Sequence, residues 1–254
     1  MSSSIWTRCG ARANLRRLVG KPWRVVEGQH VVSTRKLVDS VEDQEILERL
    51  IDESKPRLPR GPEFDGLHYL LSTSFRYPPL SHGSRFGTRA EMSLWYGSAR
   101  PRTAFAEVAY YRLLFLEGTT ADLGPLCVDL SMFRVALRTR RGVDLSRAPF
   151  DAHHEAIASP DSYAATQRLG REMREDGVEA FRYPSARDRD RGLNYAAFTP
   201  AAFVEKVPGV PETWHCVATR ERVELTKRDF FEKRTLSYPR ADFEVAGGLP
   251  APAP

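Results

Sequence analysis

The sequence contains few of the residues that build disulfide frameworks or metal sites. Cys9, Cys127 and Cys216 are its only cysteines; they lie far apart and form no CxxC pair. An odd, scattered set of cysteines excludes a full disulfide framework and fits a reducing cytoplasm, where we expect the chain to reside. The six histidines show no metal-ligand spacing. Their one cluster, residues 153–155, does not face one way on a helix, so we interpret it as surface and expect no metal site.

Long apolar runs are also missing. No stretch is long enough to span a membrane, and the N-terminus lacks the apolar core of a secretory signal. The first acidic residue is Glu27, so residues 1–20 are a basic segment, which we predict to be a mobile arm. Residues 241–254 become rich in Gly, Pro and Ala and are predicted to be a disordered tail.

The composition is otherwise that of a globular protein with a basic balance. Of 254 residues, 41% are hydrophobic and 28% charged, which suits one large domain with an extension. The net charge of +5 favours anionic partners without establishing nucleic-acid binding. Arg supplies most of the positive charge and pairs well with phosphate, so a phosphate-bearing ligand is the first candidate. A non-catalytic nucleic-acid-binding protein is the weaker alternative, because no DNA- or RNA-binding motif is present.

The first half of the chain divides at a proline-rich stretch. Residues 23–32 are rich in Val and predict a strand. Residues 40–54 predict a helix capped by Asp39 or Ser40, and the apolar stripe at positions 46, 47, 50 and 51 is assigned to the core. Three prolines within residues 55–62 then exclude helix. We therefore separate a basic arm, residues 1–20, and an N-terminal extension, residues 21–62, from a main domain, residues 63–240, and the tail, residues 241–254.

The main domain mixes short strands with two helices that begin at prolines. Helices are predicted from Pro101 to about residue 116 and from Pro160 to about residue 177. The predicted strands span residues 68–75, 91–96, 126–138, 178–183, 194–203 and 215–219. Their irregular alternation favours an α+β fold of small mixed or antiparallel sheets with flanking helices.

Two arginines and a tyrosine form the first part of a candidate anion site. Arg76 and Arg85 lie at the edges of a loop, residues 76–87, that carries two prolines and two glycines. Glycines let a ligand approach the backbone, and guanidinium groups offer paired donors to phosphate oxygens. Tyr96, followed by Gly97, can stack on a flat ring. The alternatives are solvated loop arginines and a core tyrosine.

A lone acid and a serine complete the candidate site. Glu107 is flanked by small and apolar residues near the start of the helix predicted from Pro101, where burying a carboxylate requires a partner. Ser185 follows a predicted strand and Pro184, and its hydroxyl can donate to a phosphate or ribose oxygen. The alternative for Glu107 is an exposed acid beside the helix N-terminus. The alternative for the segment around Ser185 is a solvated loop.

The order of these motifs resembles the RES-domain family. Over residues 66–205, an Arg in a turn is followed by Gly-x-Arg-aromatic, Tyr-Gly-Ser, a helix carrying Ala-Glu, Tyr-Pro-Ser-Ala-Arg and Gly-x-Asn. Residues 23–38 are also similar to the extension that precedes the domain in some members. Many members carry Gly-Gly before the second Arg, where this chain has Gly83-Ser84. Because serine tolerates fewer backbone angles, this departure puts the phosphate-loop geometry in doubt.

The resemblance implies a fold like that of the ADP-ribosyltransferases and an activity on NAD. RES-domain proteins are typically bacterial toxins paired with a separately encoded antitoxin, and residues 63–240 would be the catalytic domain. Known members degrade NAD by hydrolysis or phosphorolysis, and at least one branch transfers ADP-ribose to a protein. We therefore expect NAD as substrate, inorganic phosphate as a candidate co-substrate, an antitoxin as partner, no cofactor and no membrane partner. The oligomeric state stays open.

The resemblance also implies roles for individual residues. Arg76 and Arg85 match the arginines that grip the NAD phosphates, and Tyr96 matches the aromatic near nicotinamide. Glu107 and Ser185 match the family Glu and Ser. The implied catalytic set is Arg76, Tyr96, Glu107 and Ser185, and the implied NAD-binding set is Arg76, Tyr77, Arg85, Tyr96, Ser185 and Asn194. Hypothetical donors to a phosphate acceptor are Arg182, Arg187 and Arg189.

Overall fold

The computed structural model describes residues 4–28, 37–77, 79, 81–229, 232 and 234–251. Within these ranges, no helix combines the length and apolar character that crossing a bilayer requires. The later part of the predicted strand 23–32 lies outside the described residues.

Ten strands of the described chain form one sheet. They are β1 Arg16–Gly20, β2 Trp23–Glu27, β3 Trp95–Ser98, β4 Leu126–Arg134, β5 Leu137–Asp144, β6 Ala180–Pro184, β7 Leu193–Ala197, β8 Glu212–Ala218, β9 Arg222–Lys227 and β10 Thr235–Pro239. Their order is β1-β5-β6-β7-β3-β2-β4-β8-β9-β10, and every neighbouring pair is antiparallel except β5 and β6. The α+β class is confirmed, but the separate small sheets expected from the sequence are joined into one.

Six α-helices of the described chain accompany the sheet. They are α1 Ile5–Arg8, α2 Val41–Ser54, α3 Tyr69–Arg76, α4 Pro101–Glu117, α5 His154–Ile157 and α6 Ala164–Glu175. The predicted start of α4 at Pro101 is confirmed, because proline loses no hydrogen bond in a first turn. The predicted cap of α2 is also confirmed, since Ser40 Oγ accepts from the Asp43 amide at 3.0 Å.

Several predicted element types or bounds are wrong. Residues 69–76 form α3 instead of a strand. The four-residue spacing of Leu71 and Phe75 buries both side chains on one helix face, and the His68 side chain caps the first turn. The predicted strand 126–138 is two strands, β4 and β5. Strand 91–96 is replaced by β3, which starts only at Trp95 and runs to Ser98, and strand 194–203 already ends at Ala197 in β7. The strand predicted at 215–219 begins earlier, at Glu212, and the helix predicted from Pro160 begins at Ala164.

Both chain ends are better anchored than the sequence indicates. The mobile arm predicted for residues 1–20 is wrong for residues 4–20, which form α1, a 3-10 turn and β1. Trp6 is buried, and its indole N–H donates to Asp176 at 2.6 Å. The disordered tail predicted from residue 241 is wrong as far as residue 251, because Phe243 is buried and the Tyr110 hydroxyl donates to the carbonyl of Pro250.

The apolar stripe of α2 does not belong to the core. Ile46, Leu50 and Ile51 are exposed, at 47%, 55% and 38%. The core assignment made from periodicity is therefore wrong. A 3.6-residue period reveals that a helix has an apolar face but does not reveal what that face meets.

Helix α4 packs its apolar face across the sheet and thereby positions the functional region. Phe105 and Leu113 are fully buried against Trp214 and Leu225 of β8 and β9. Glu107 lies on a different face of α4, because 100° per residue turns it away from Phe105. Beneath it runs β2, which lies between β3 and β4.

Candidate functional site

A cavity of about 320 Å³ opens between α4 and strands β2, β3 and β7. Its walls combine aromatic rings with a few polar groups, the usual composition of a small-molecule site. The lining residues are Trp23, Arg24, Val25, Ser84, Arg85, Tyr96, Gly97, Ser98, Ala104, Glu107, Val108, Tyr111, Tyr163, Tyr183 and Asn194.

The carboxylate of Glu107 is held by two donors at one oxygen. Oε1 accepts from Ser185 Oγ at 2.7 Å and from Asn194 Nδ2 at 2.6 Å. Within the described part of the chain, Oε2 accepts no hydrogen bond. The carboxylate is therefore oriented by the protein while one oxygen remains for a ligand.

Ser185 is fixed by its own backbone neighbours. Its amide donates to the carbonyl of Gly192 at 2.7 Å, and its Oγ accepts from the amides of Arg187 and Asp188 at 3.1 Å each. With both acceptor positions used, the hydroxyl proton points to Glu107.

Gly192 lets the loop after β6 approach α4 closely. A Cβ at this position would lie 2.1 Å from Thr103 Oγ1 and 2.4 Å from Asp188 Oδ2, so any side chain would force them apart. Thr103 donates to that same Asp188 oxygen at 2.7 Å. The glycine of the Gly-x-Asn motif therefore holds Ser185 next to the helix that carries Glu107.

Asn194 is oriented from the neighbouring strand. Ser98 on β3 faces Asn194 on β7 in the antiparallel register, and Ser98 Oγ donates to Asn194 Oδ1 at 2.6 Å. This bond directs the Asn194 amide N–H₂ to Glu107. Sequence reasoning did not identify this role of Ser98 in orienting Asn194, although Ser98 lies in the Tyr-Gly-Ser motif.

Tyr96 is neutral and tied to the loop before it. Its hydroxyl is hydrogen-bonded to Ser84 Oγ at 3.0 Å and accepts from the Phe86 amide at 3.3 Å. Burial raises the pKa of Tyr96 to about 12, against the smaller lowering effect of these bonds. Gly83 takes the left-handed conformation at φ +75°, whereas Ser84 does not. The departure from Gly-Gly therefore leaves the backbone unstrained.

Arg85 forms one wall of the cavity together with tyrosines. Its Nη1 donates to the carbonyls of Ile157 and Ser159 at 3.2 and 2.8 Å, and its guanidinium lies 4.8 Å from the centre of the Tyr163 ring. The Tyr163 and Tyr111 hydroxyls are 3.3 Å apart. Arg85 is thus rigidly placed, with part of its donor set already used.

Arg76 and Tyr77 do not join this cavity. Arg76 is the last residue of α3, and its Nε donates to the carbonyl of Pro56. Tyr77 is 40% exposed outside the lining. Their place at the NAD phosphates was implied by the resemblance, whereas the structure has them at the end of α3 and just after it, away from the cavity lining.

The three arginines named as donors to a phosphate acceptor also lie outside the lining. Arg182 forms an ion pair with Asp144, and Arg189 forms one with Asp242 at 2.6 Å. Arg187 is buried, with its guanidinium 3.5 Å from the centre of the Tyr110 ring.

Strand β2 adds three cavity residues that the sequence had not suggested, Trp23, Arg24 and Val25. Arg24 Nη1 donates to the carbonyl of Tyr96 at 2.6 Å. Burial lowers the pKa of the Arg24 side chain to about 10, although the group stays charged at neutral pH. A single guanidinium inside the Val-rich strand was the available signal.

A protein-family model described as RES domain matches residues 57–219, more than half of the chain. The chain belongs to the RES-domain family. The matched range contains the loop of Ser84 and Arg85, the α4 residue Glu107 and its partners Ser185 and Asn194. The RES-domain match excludes β1, β2, β9 and β10, so Trp23 and Arg24 come from outside it. No curated protein matches the chain.

Proposed function

We propose that this RES-domain protein consumes NAD by cleaving the bond between nicotinamide and ribose. The family is associated with NAD-related toxins, which supports the substrate class. The observation that carries the proposal is the Glu107 carboxylate, whose Oε1 is held by Ser185 and Asn194 while Oε2 accepts no hydrogen bond among the described residues. It lies in a cavity whose lining also contains two guanidinium groups and several aromatic rings.

The chemistry of the bond matches one fixed carboxylate. As the nicotinamide–ribose bond breaks, its electron pair leaves with the ring nitrogen and positive charge develops on the ribose. A preorganised carboxylate stabilises that charge or binds the ribose hydroxyls. Nicotinamide departs as a neutral ring, so no general acid is needed. The neutral Tyr96 and the Tyr111–Tyr163 wall provide surfaces against which a flat ring can pack.

Either of two acceptors, water or inorganic phosphate, can attack the ribose and complete the reaction. Water attack yields ADP-ribose and releases one proton, whereas phosphate attack yields ADP-ribose 1″-phosphate. Arg85 would position the phosphates of the substrate, and positioning contributes a large share of rate enhancement in such sites.

Product analysis tests the proposal. The purified protein is incubated with NAD, with and without inorganic phosphate, and nicotinamide release is followed by chromatography. ADP-ribose 1″-phosphate as the product identifies phosphorolysis, and free ADP-ribose identifies hydrolysis. Transfer of labelled ADP-ribose to a protein instead selects an ADP-ribosyltransferase. No nicotinamide release under any of these conditions, from folded protein free of other chains, contradicts the proposal.

The biological setting belongs to the same proposal. We infer a cytoplasmic toxin neutralised by an antitoxin encoded nearby, and a fold like that of the ADP-ribosyltransferases. Expression is expected to lower cellular NAD and slow growth. A neighbouring gene for a short helical DNA-binding protein would support the antitoxin.

A further inference from the structure

The loop between β6 and β7 carries Ser185 and is attached to the first turn of α4 by a buried hydrogen bond. Thr103 Oγ1 donates to Asp188 Oδ2 at 2.7 Å. Thr103 is fully buried and Asp188 is 8% exposed, so water competes little for this bond. Thr103 lies one turn before Glu107 on the same side of α4. The bond therefore joins the helix of Glu107 to the loop of Ser185.

Asp188 organises this loop through its backbone as well as through its side chain. Its amide donates to Ser185 Oγ at 3.1 Å. Its carbonyl accepts from the Arg191 amide at 2.9 Å, and its Oδ1 accepts from the Asp190 amide at 3.1 Å. A displacement of Asp188 would therefore move one of the donors that hold the Ser185 hydroxyl.

The carboxylate of Asp188 depends on hydrogen bonds for its position. It forms no ion pair with any residue that the structure describes, and a buried charge is costly unless it is hydrogen-bonded. It lies beside the first turn of α4, where Arg100 at the N-cap makes no side-chain cap bond. The amides of a helix N-terminus favour a negative charge there. Thr103 supplies the one side-chain donor to this carboxylate among the described residues.

We propose that Thr103 and Asp188 are positioning residues, which together set the place of the Ser185 hydroxyl relative to Glu107. The inference rests on the proposed function and deepens it, because it names what keeps the serine that orients the carboxylate beside α4. Neither Thr103 nor Asp188 lines the cavity, so both act through Ser185 and not on the substrate.

Asp190 offers a matched control in the same loop. Its carboxylate pairs at 3.2 Å with Arg102, which lies on the same turn of α4 as Thr103, but both partners are 57% exposed. An exposed pair of this kind contributes little. Asp190→Asn therefore removes an acid and one attachment of the loop to α4 while the buried bond stays in place.

The rate of nicotinamide release from NAD is measured for the full chain, Thr103→Val, Thr103→Ser and Asp190→Asn. Valine keeps the shape of threonine without the donor, whereas serine keeps the hydroxyl. We expect Thr103→Val to lower kcat about tenfold and to change the KM for NAD less than about twofold, because the lost interaction acts in the transition state. Thr103→Ser and Asp190→Asn should keep kcat within about twofold of the wild type. An unchanged kcat in Thr103→Val, or an equal fall in Asp190→Asn, would overturn the inference.

A double variant separates positioning from a general loss of stability. If Thr103 acts through Ser185, Thr103→Val should cost no further kcat once Ser185→Ala has removed the hydroxyl. A loss that multiplies with that of Ser185→Ala would reveal an independent structural effect and contradict the inference. Should Thr103→Val fail to fold, Asp188→Ala takes its place, and an unchanged kcat in that variant is equally contradictory.

Hydrogen exchange over residues 184–192 tests the attachment of the loop without any reaction. This segment should exchange faster in Thr103→Val than in the wild type, and Asp190→Asn should exchange like the wild type. If the folded wild type releases no nicotinamide, the proposed function fails by itself and hydrogen exchange decides whether the attachment exists. Unchanged exchange in Thr103→Val overturns the inference whatever reaction the protein catalyses.

Discussion

Glu107 is placed in the cavity by a short chain of hydrogen bonds that crosses three elements. Ser98 on β3 orients Asn194 on β7, and Asn194 and Ser185 both donate to Glu107 Oε1 on α4. Hydrogen bonds to a charged group contribute about 1.5–3 kcal/mol each. The carboxylate therefore keeps its orientation without help from a ligand.

Replacing Ser185 by Ala tests this arrangement. We expect nicotinamide release to fall about tenfold to a hundredfold, which corresponds to losing one charge-assisted bond in the transition state. The variant should also have a lower melting temperature, because the amides of Arg187 and Asp188 lose their acceptor. Both effects are measured on purified protein, by initial rates and by thermal unfolding.

Ser146→Ala serves as the control. Ser146 Oγ donates to Asp144 at 2.6 Å, so the same kind of serine–carboxylate bond is removed outside the cavity. Its rate of nicotinamide release should stay at the wild-type level. An equal fall in both serine variants would show that the effect is one of stability.

At the residue scale, the order of motifs was sufficient to group Arg85, Tyr96, Glu107 and Asn194, which the structure brings around one cavity. Arg76, which the resemblance assigned to the phosphates, ends α3, because tertiary packing makes helical a segment whose local sequence looks extended. Arg24 was missed because only pairing of β2 with its sheet neighbours brings a residue so distant in sequence to the cavity. Motif spacing carries no information about that pairing.

Among the elements, α2 and α4 show how similar patterns lead to different burial. Both helices have apolar residues at helical spacing, yet α4 covers the sheet whereas the stripe of α2 is exposed. Periodicity identifies the face of a helix, and the topology of the sheet decides which helix is covered.

Triple substitution of Ile46, Leu50 and Ile51 by Gln tests the exposure of α2. We expect the melting temperature of the monomeric chain to change little, because exposed substitutions cost within about 0.5 kcal/mol each and Gln is a good helix former. Leu113→Ala in α4, at a fully buried position, should instead cost about 2–5 kcal/mol. Equal destabilisation by the two changes would place the α2 stripe in the core after all.

At the scale of the whole molecule, the sheet extends beyond the family-matched residues at both ends of the chain. β2 lies between β3 and β4, and β1 pairs with β5 at one edge of the sheet. β9 and β10 continue the sheet past β8 to the other edge. Tyr238 of β10 donates to the carbonyl of Arg102 at 2.8 Å, which ties the last strand to the start of α4. The N-terminal extension predicted from the sequence therefore contributes a central strand.

A fragment of residues 57–219 should fail to fold cooperatively. It lacks β2, so β3 and β4 lose their shared neighbour, and it lacks β9 and β10, so buried residues of α4 become exposed. Circular dichroism with thermal unfolding checks this against a fragment of residues 4–251, which should keep one cooperative transition. A sharp transition for the shorter fragment would show that the matched range is a self-sufficient domain.

The central claim is that the Glu107 carboxylate supports cleavage of the nicotinamide–ribose bond. The most direct measurement is the initial rate of nicotinamide release from NAD by the wild type, Glu107→Gln and Glu117→Gln. Glu117 lies on the same helix and pairs with Arg240 outside the cavity, so its loss removes a carboxylate without touching the site. We predict that Glu107→Gln loses about a hundredfold or more in rate while Glu117→Gln keeps the wild-type rate. A Glu107→Gln rate equal to that of the wild type would contradict the account.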